Sequence, residues 1–303
     1  MNENTQAPGA ALLVGEALMD IMTSDGETRE FIGGSPANAA VGVARLGHSA
    51  RLLTRLGRDP RGERIAAHLE GEAVELLPES WREEPTSTAQ AIIAADGSAT
   101  YHFDISWEVP SVAVDDVDLV HAGSIALFLE PGGSDVLRLL REFAPRAIVT
   151  VDPNIRPSLL PDHAVALRRF EDAAAVADLV KLSDEDAEWL YPGTTPEAAA
   201  ERIRALGPAI VVVTLGAEGA LALNAAGRAR IPAHPVDVVD TISAGDSVMA
   251  SLISSLLERG VELSQAELAT VLDRAARAAA IAVSVAGANP PLRAQLEDPT
   301  PLR

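Results

Sequence analysis

Apolar residues recur along this chain in two alternating rhythms. The segments "DLVHAGS", "AIVTVDPN", "DLVKLS" and "AIVVVTLG" are apolar at nearly every position, as strands buried on both faces are. Helical patterns follow three of them, among them "PEAAAERIRALG". This alternation predicts an α/β fold, a mostly parallel sheet with helices on both faces. Residues 11–21, "ALLVGEALMDI", predict a first strand that runs into an active loop and carries Asp20 at its end. "GGSPANAAVGVARLG" opens with a turn, then repeats Ala, Val and Leu at helical spacing until Gly47. "PRGERIAAHLEG" predicts an amphipathic helix with Pro60 near its start and Gly71 just past its end. Residues 216–233 predict a hairpin, and 244–259 and 265–286 two long helices. Residues 1–9 and the Pro-rich stretch from Ala288 predict tails.

Residues 87–105 break the rhythm. "TAQAIIAADGSATYHFDI" sets Asp96-Gly97 between two runs, and the second run alternates, with Tyr101, Phe103 and Ile105 opposite Thr100, His102 and Asp104. That pattern predicts a β-hairpin with one polar face, part of a small sheet projecting from the main body.

Composition narrows the function classes. The chain has 303 residues, 48% of them hydrophobic, with a net charge of −20 and no cysteine. Such a surface repels nucleic-acid phosphates and anionic membranes, so neither is an expected partner. No apolar run approaches a membrane span, and "MNENTQAPGA" lacks a basic leader region. A soluble cytoplasmic protein is the expectation. The histidines show no metal-ligand spacing, and no G-x-G-x-x-G follows the first strand to suggest a nicotinamide cofactor.

Ligands of such sheets bind beyond the carboxyl ends of the strands. Polar residues gather there: Asp152 and Asn154, Lys181 and Ser183, Thr214 and Gly216, and Asp240 to Asp246. The last group, "DTISAGDS", precedes an apolar stripe of Val248, Met249, Leu252, Ile253, Leu256 and Leu257, so a helix is expected to begin near Ala244. Its first amides lack intrahelical partners and its dipole favours anions, phosphate above all. Asp246 in the first turn stands beside that anion site. It fits a general base for a hydroxyl nucleophile, and equally a first-turn acid that stabilises the helix.

"DTISAGDS" resembles the second signature of the ribokinase-like (PfkB) carbohydrate kinases, and "GGSPANAAVGVARLG" resembles their first. "GEALMDI", "GSIAL", "VDPNIRP", "KLSDEDAEWL", "VVTLGAEGA" and "AGANPP" follow the same order, so the resemblance spans roughly residues 10–292. "GGSPANAA" with "VDPNIRP" is most similar to fructokinases, then to 2-keto-3-deoxygluconate kinases. The resemblance implies a single ribokinase-like kinase domain over 1–303, with a β-sheet lid formed mainly by about 22–34 and 86–107. It implies transfer of the γ-phosphoryl group of ATP, complexed with Mg2+, to a sugar hydroxyl, fructose first. Another sugar or nucleoside kinase of the same fold and a non-catalytic sugar- or nucleotide-binding relative are the alternatives. Small-molecule sugar and ATP are the implied partners, with a homodimer through the lid.

By the same resemblance Asp246 is the catalytic base, and Ser243, Ala244 and Gly245 form the anion hole. Asp20, Gly33, Gly34, Asn38, Asn154 and Arg156 fall on substrate-binding positions. Lys181, Ser183, Asp186, Thr214, Gly216, Gly219 and Asn289 fall on the nucleotide side, and Asp240 on a site for a monovalent cation such as K+. Read without the resemblance, several keep a second role. Asn38 can cap a helix, Arg156 can pair with Asp152, Lys181 can form a structural salt bridge and Asp240 can cap a turn. Three positions depart from the family pattern. Ser243 replaces glycine, Asp186 shortens a glutamate, and Val248 stands where phenylalanine is common. If Ser243 needs positive φ, the serine costs roughly 1 kcal/mol.

Overall fold

The computed structural model describes residues 9–24, 26–93, 99–110, 112, 114–160, 162–298, 300 and 302. Its main sheet has nine strands. From one edge they run Gly227–Ile231, Ala220–Asn224, Ile210–Thr214, Leu179–Ser183, Ile148–Asp152, Leu119–Gly123, Ala10–Val14, Ser49–Leu53 and Val74–Leu76. All neighbours from Ile210–Thr214 to Val74–Leu76 pair in parallel. The first two pair antiparallel, the hairpin foreseen at 216–233.

Strand residues alternate between two cores, as a period of two requires. Leu12, Val120, Val151 and Val180 join Leu140, Phe143, Phe170 and Ile203 on one face. Leu13, Leu119, Leu179 and Val212 join Val43, Ile65, Ile253 and Leu272 on the other. Each fully buried aliphatic side chain contributes roughly 1.5–3 kcal/mol, and the strands bury such residues on both faces, which is why they read as unbroken apolar runs. The helices Ser35–Arg45, Ala244–Arg259 and Gln265–Val283 share the second face.

A separate four-stranded sheet runs Glu27–Gly33, Leu18–Ser24, Thr88–Ile93, Ala99–Asp104. Its last two strands pair antiparallel, and the expected Asp96-Gly97 turn between them lies outside the described residues. The single strand expected over 11–21 is two strands in two sheets. The amides of Gly15 and Ala17 still bond toward the neighbouring main-sheet strand, to Leu53 O and Thr54 Oγ1, whereas that of Met19 bonds to Ser87 O. The chain changes sheets between those residues, so Asp20 stands on the small sheet.

Two helix ends also differ from expectation. The helix Gln265–Val283 stops short of 286, and the Val283 carbonyl accepts from Val239 and Asp240 instead. The expected C-terminal tail contains a short helix, Arg293–Glu297, whose entry is tied by Gln295 Oε1 accepting from the Leu292 amide at 2.8 Å.

Candidate active site

The helix Ala244–Arg259 begins where its apolar stripe begins. Ser243 precedes it in the left-handed region, φ 59° and ψ 11°, the strained conformation its replacement of glycine foreshadowed. The Ser243 hydroxyl is buried with no hydrogen-bond partner among the described residues, and it caps no helix amide. The Ala244 amide makes one long bond, 3.4 Å, to Thr241 O. Those of Gly245 and Asp246 meet no acceptor among the described residues. A β-carbon on Gly245 would lie 2.9 Å from Lys181 Nζ, so the lysine ammonium lies against this open helix end. Unpaired amides beside a buried cation are chemically suited to receive an anion such as a phosphoryl group.

Asp246 is buried, 7% exposed, and both its oxygens are held. Ser35 Oγ donates to Oδ1 at 2.6 Å and Asn38 Nδ2 donates to Oδ2 at 2.8 Å. Both donors come from the first turn of the helix Ser35–Arg45, three residues apart and so on one face. Burial raises the Asp246 pKa. The Ser35 and Asn38 hydrogen bonds and the charges of Lys181 and Arg156 pull it back. Asn38 is not a helix cap, because Gly34 occupies that position.

Lys181 Nζ donates to Asp152 Oδ2 at 2.8 Å in an ion pair that is almost fully buried. Burial pushes the Asp152 carboxyl up to about 6 against the pull of that ammonium. Lys181 thus forms the structural salt bridge while standing beside the open helix end at Gly245. Ser183 and Asp186 form a capping box on the helix Asp184–Leu190. Asp186 Oδ2 accepts from the Ser183 amide at 2.9 Å and Oδ1 from the Ile155 amide at 2.8 Å. The short aspartate therefore anchors the loop that carries Asn154 and Arg156. Asn154 sits at φ 37° and donates its amide to Asp152 Oδ1. Arg156 is exposed and bonds main-chain carbonyls, and no ion pair to Asp152 or another carboxylate is found among the described residues. Its charge bears on both Asp20 and Asp246.

Asp20 faces outward on the small sheet opposite Phe31, and crowding by protein pushes its carboxyl up to about 6 against the pull of Arg156. Gly33 explains its own identity, because a β-carbon there would collide with the Asp20 carboxylate. Gly34, at φ 115°, lies against the Glu16 carbonyl and starts the helix that supplies Ser35 and Asn38. Thr214 pairs in register with Ser183 at the carboxyl edge, and Gly216 and Gly219 flank the turn that follows.

Two further expected residues have partners of their own. Asn289 accepts from Arg45, which itself clamps Glu72, and Arg45 is seven residues or roughly 10 Å along the helix from Asn38. Asp240 takes the turn-capping alternative, accepting from the amides of Ile242 and Gly287 at 3.0 and 2.9 Å. Sequence reasoning assigned no role to Ser35 or to Glu16. Glu16 is buried just after the first strand, its Oε2 has no partner among the described residues, and burial raises its carboxyl to about 7. Both lie inside quoted motifs, yet no local signal pairs position 35 with position 246. A cavity of about 340 Å³ at the base of the small sheet, lined by Arg55, Ile105, Trp107 and Leu129 among others, contains none of these residues.

Comparison with known proteins decides the family. A model of the pfkB family carbohydrate kinase matches residues 13–295. The chain belongs to this family. It is 32% identical to a fructokinase of Escherichia coli, over 94% of this chain and 97% of that one. It is also 32% identical to a fructokinase of Rhizobium leguminosarum bv. trifolii, over 81% and 79%. Among solved structures, aminoimidazole riboside kinase from Salmonella enterica, in complex with aminoimidazole riboside and an ATP analog, superposes with a TM-score of 0.80. That match has 26% identity and covers 95% of this chain and 98% of the other. Fructokinase from Vibrio cholerae O395, bound to fructose, ADP and calcium, gives 0.79 at 26% identity, over 93% and 95%. In this pfkB kinase both family signatures meet at one carboxylate, Asp246.

Proposed function

We propose that this kinase transfers the γ-phosphoryl group of ATP to a hydroxyl of fructose, with Asp246 as general base. The observation that carries the reading is the buried Asp246 carboxylate, held by Ser35 and Asn38 beside the acceptor-free amides of Gly245 and Asp246. Two fructokinases at 32% identity support the sugar.

In this reading the sugar lies between Asp20 on the lid and Asp246 on the body. Asp20 accepts from sugar hydroxyls, Asn38 offers its remaining amide groups, and Arg156 offers guanidinium donors not committed to a carboxylate. The reacting hydroxyl gives its proton to Asp246 as its oxygen bonds to the γ-phosphorus, and the bond to the β-phosphate oxygen breaks, releasing ADP. The main-chain amides of Gly245 and Asp246, with the Lys181 ammonium behind them, stabilise the charge on the phosphoryl oxygens. Carboxylates outnumber cations here: Glu16, Asp20, Asp152, Asp186 and Asp246 surround Lys181 and Arg156. That excess suits a magnesium ion carried in with ATP, which neutralises phosphate charge when bound. Met22 and Phe31, 41% and 49% exposed, share the Asp20 face and would be covered by lid closure or by a second copy.

A coupled assay of ADP release across fructose, 2-keto-3-deoxygluconate, fructose 6-phosphate and nucleosides tests the reading. Fructose is expected to give the highest kcat/KM. Sugar or nucleotide binding with no turnover for any acceptor would instead point to a non-catalytic relative.

A further inference from the structure

We infer that Ser35 is a positioning residue for the catalytic carboxylate, its hydroxyl holding one oxygen of Asp246 while Asn38 holds the other. The inference rests on Asp246 being the base, and its test tells a failure of the inference from a failure of that reading. Ser35 Oγ to Asp246 Oδ1, 2.6 Å, is a short charge-assisted contact between residues 211 positions apart. It joins the first turn of one helix to the first turn of another, so the terminus that supplies Ser35 and Asn38 fixes a side chain of the second terminus. Asn38 can fill only one oxygen and must also serve the sugar; Ser35 has no second partner among the described residues. The hydroxyl therefore does two things. It sets the carboxylate rotamer, and it favours the charged form that accepts a proton.

The other groups facing Asp246 set the background. Lys181 approaches from the strand Leu179–Ser183, paired with Asp152 of the strand Ile148–Asp152. Arg156 acts from the loop after Asp152, and Glu16 from the chain after Ala10–Val14. Asp186 acts on the Lys181–Asp152 pair. Lys181 and Arg156 favour the Asp246 carboxylate and the acids disfavour it, so a neutral donor can move the balance without changing net charge.

The test is the pH profile of kcat/KM for Ser35→Ala, Ser35→Cys and Ser35→Thr, with Asp246→Asn alongside. Loss of the donor raises the pH at which the base must ionise, so the acid limb of Ser35→Ala moves upward. At one pH unit below the wild-type midpoint its kcat/KM falls about tenfold, and well above the midpoint within about threefold of wild type. Ser35→Cys, nearly isosteric with a weak donor, follows alanine and serves if alanine does not fold. Ser35→Thr keeps the hydroxyl and the wild-type limb. An unmoved acid limb in the alanine and cysteine variants overturns the inference, as does an equal loss at every pH. Turnover retained in Asp246→Asn would strike the base itself, a different failure.

Discussion

At the scale of single residues, the site concentrates costs that a purely structural design would shed. Ser243 holds a left-handed backbone and a buried hydroxyl that has no partner among the described residues, at the start of the helix that carries Asp246. The sequence anticipates the positive φ because serine stands at a family glycine; the orphaned hydroxyl depends on packing and has no local signature. Glu16 is the second case. Its carboxyl rises from about 4.5 to about 7, first because it is buried and despite a hydrogen bond with Ser124. The folded state therefore holds this proton more tightly than the unfolded chain does. The cost is absent below the unfolded value near 4.5, grows as pH rises toward 7 and is complete above it. Glu16→Gln, which cannot ionise, is expected to stabilise the protein at pH 8 by up to roughly 3 kcal/mol and to change little at pH 4.5. Thermal melts at the two pH values check this; a gain confined to the lower pH would reverse the sign.

At the scale of elements, legibility followed burial. The strands Leu119–Gly123, Ile148–Asp152, Leu179–Ser183 and Ile210–Thr214 are readable because both faces are covered, which leaves unbroken apolar runs. The strand Leu18–Ser24 was not, because its own alternation is masked by the apolar run that precedes it. Recognising it moves Asp20 from the body to the small sheet and gives Gly33 its meaning. Gly33 lacks a left-handed φ, so its backbone accepts alanine, and the collision of the added carbon with Asp20 is the main effect. Gly33→Ala should leave the melting temperature nearly unchanged while lowering kcat/KM for the sugar by roughly ten- to a hundredfold, chiefly through KM. Steady-state kinetics with an unchanged sugar KM would show that Asp20 does not read the substrate. The short helix Arg293–Glu297 stayed hidden for another reason. Its five residues are good helix formers, but they are too few to show a periodic stripe, and they follow two prolines in a segment read as a tail.

At the scale of the molecule, the parallel sheet gathers at one edge the ends of strands that are far apart in sequence. That rule places Asp152, Lys181, Ser183 and Thr214 along the same carboxyl edge from sequence alone. It could not say which of them pair with each other. Lys181 with Asp152, Asp186 with two main-chain amides, and Asn289 with Arg45 are choices of three-dimensional packing. Among the described residues no helix is long and apolar enough to cross a membrane. The whole arrangement converges on one carboxylate, and Asp246→Asn addresses it most directly, with fructose binding followed by calorimetry and ADP release by a coupled assay on the same preparation. The account predicts sugar affinity within about threefold of wild type and turnover lowered roughly 10²- to 10⁴-fold. Turnover within tenfold of wild type, with binding intact, would contradict it.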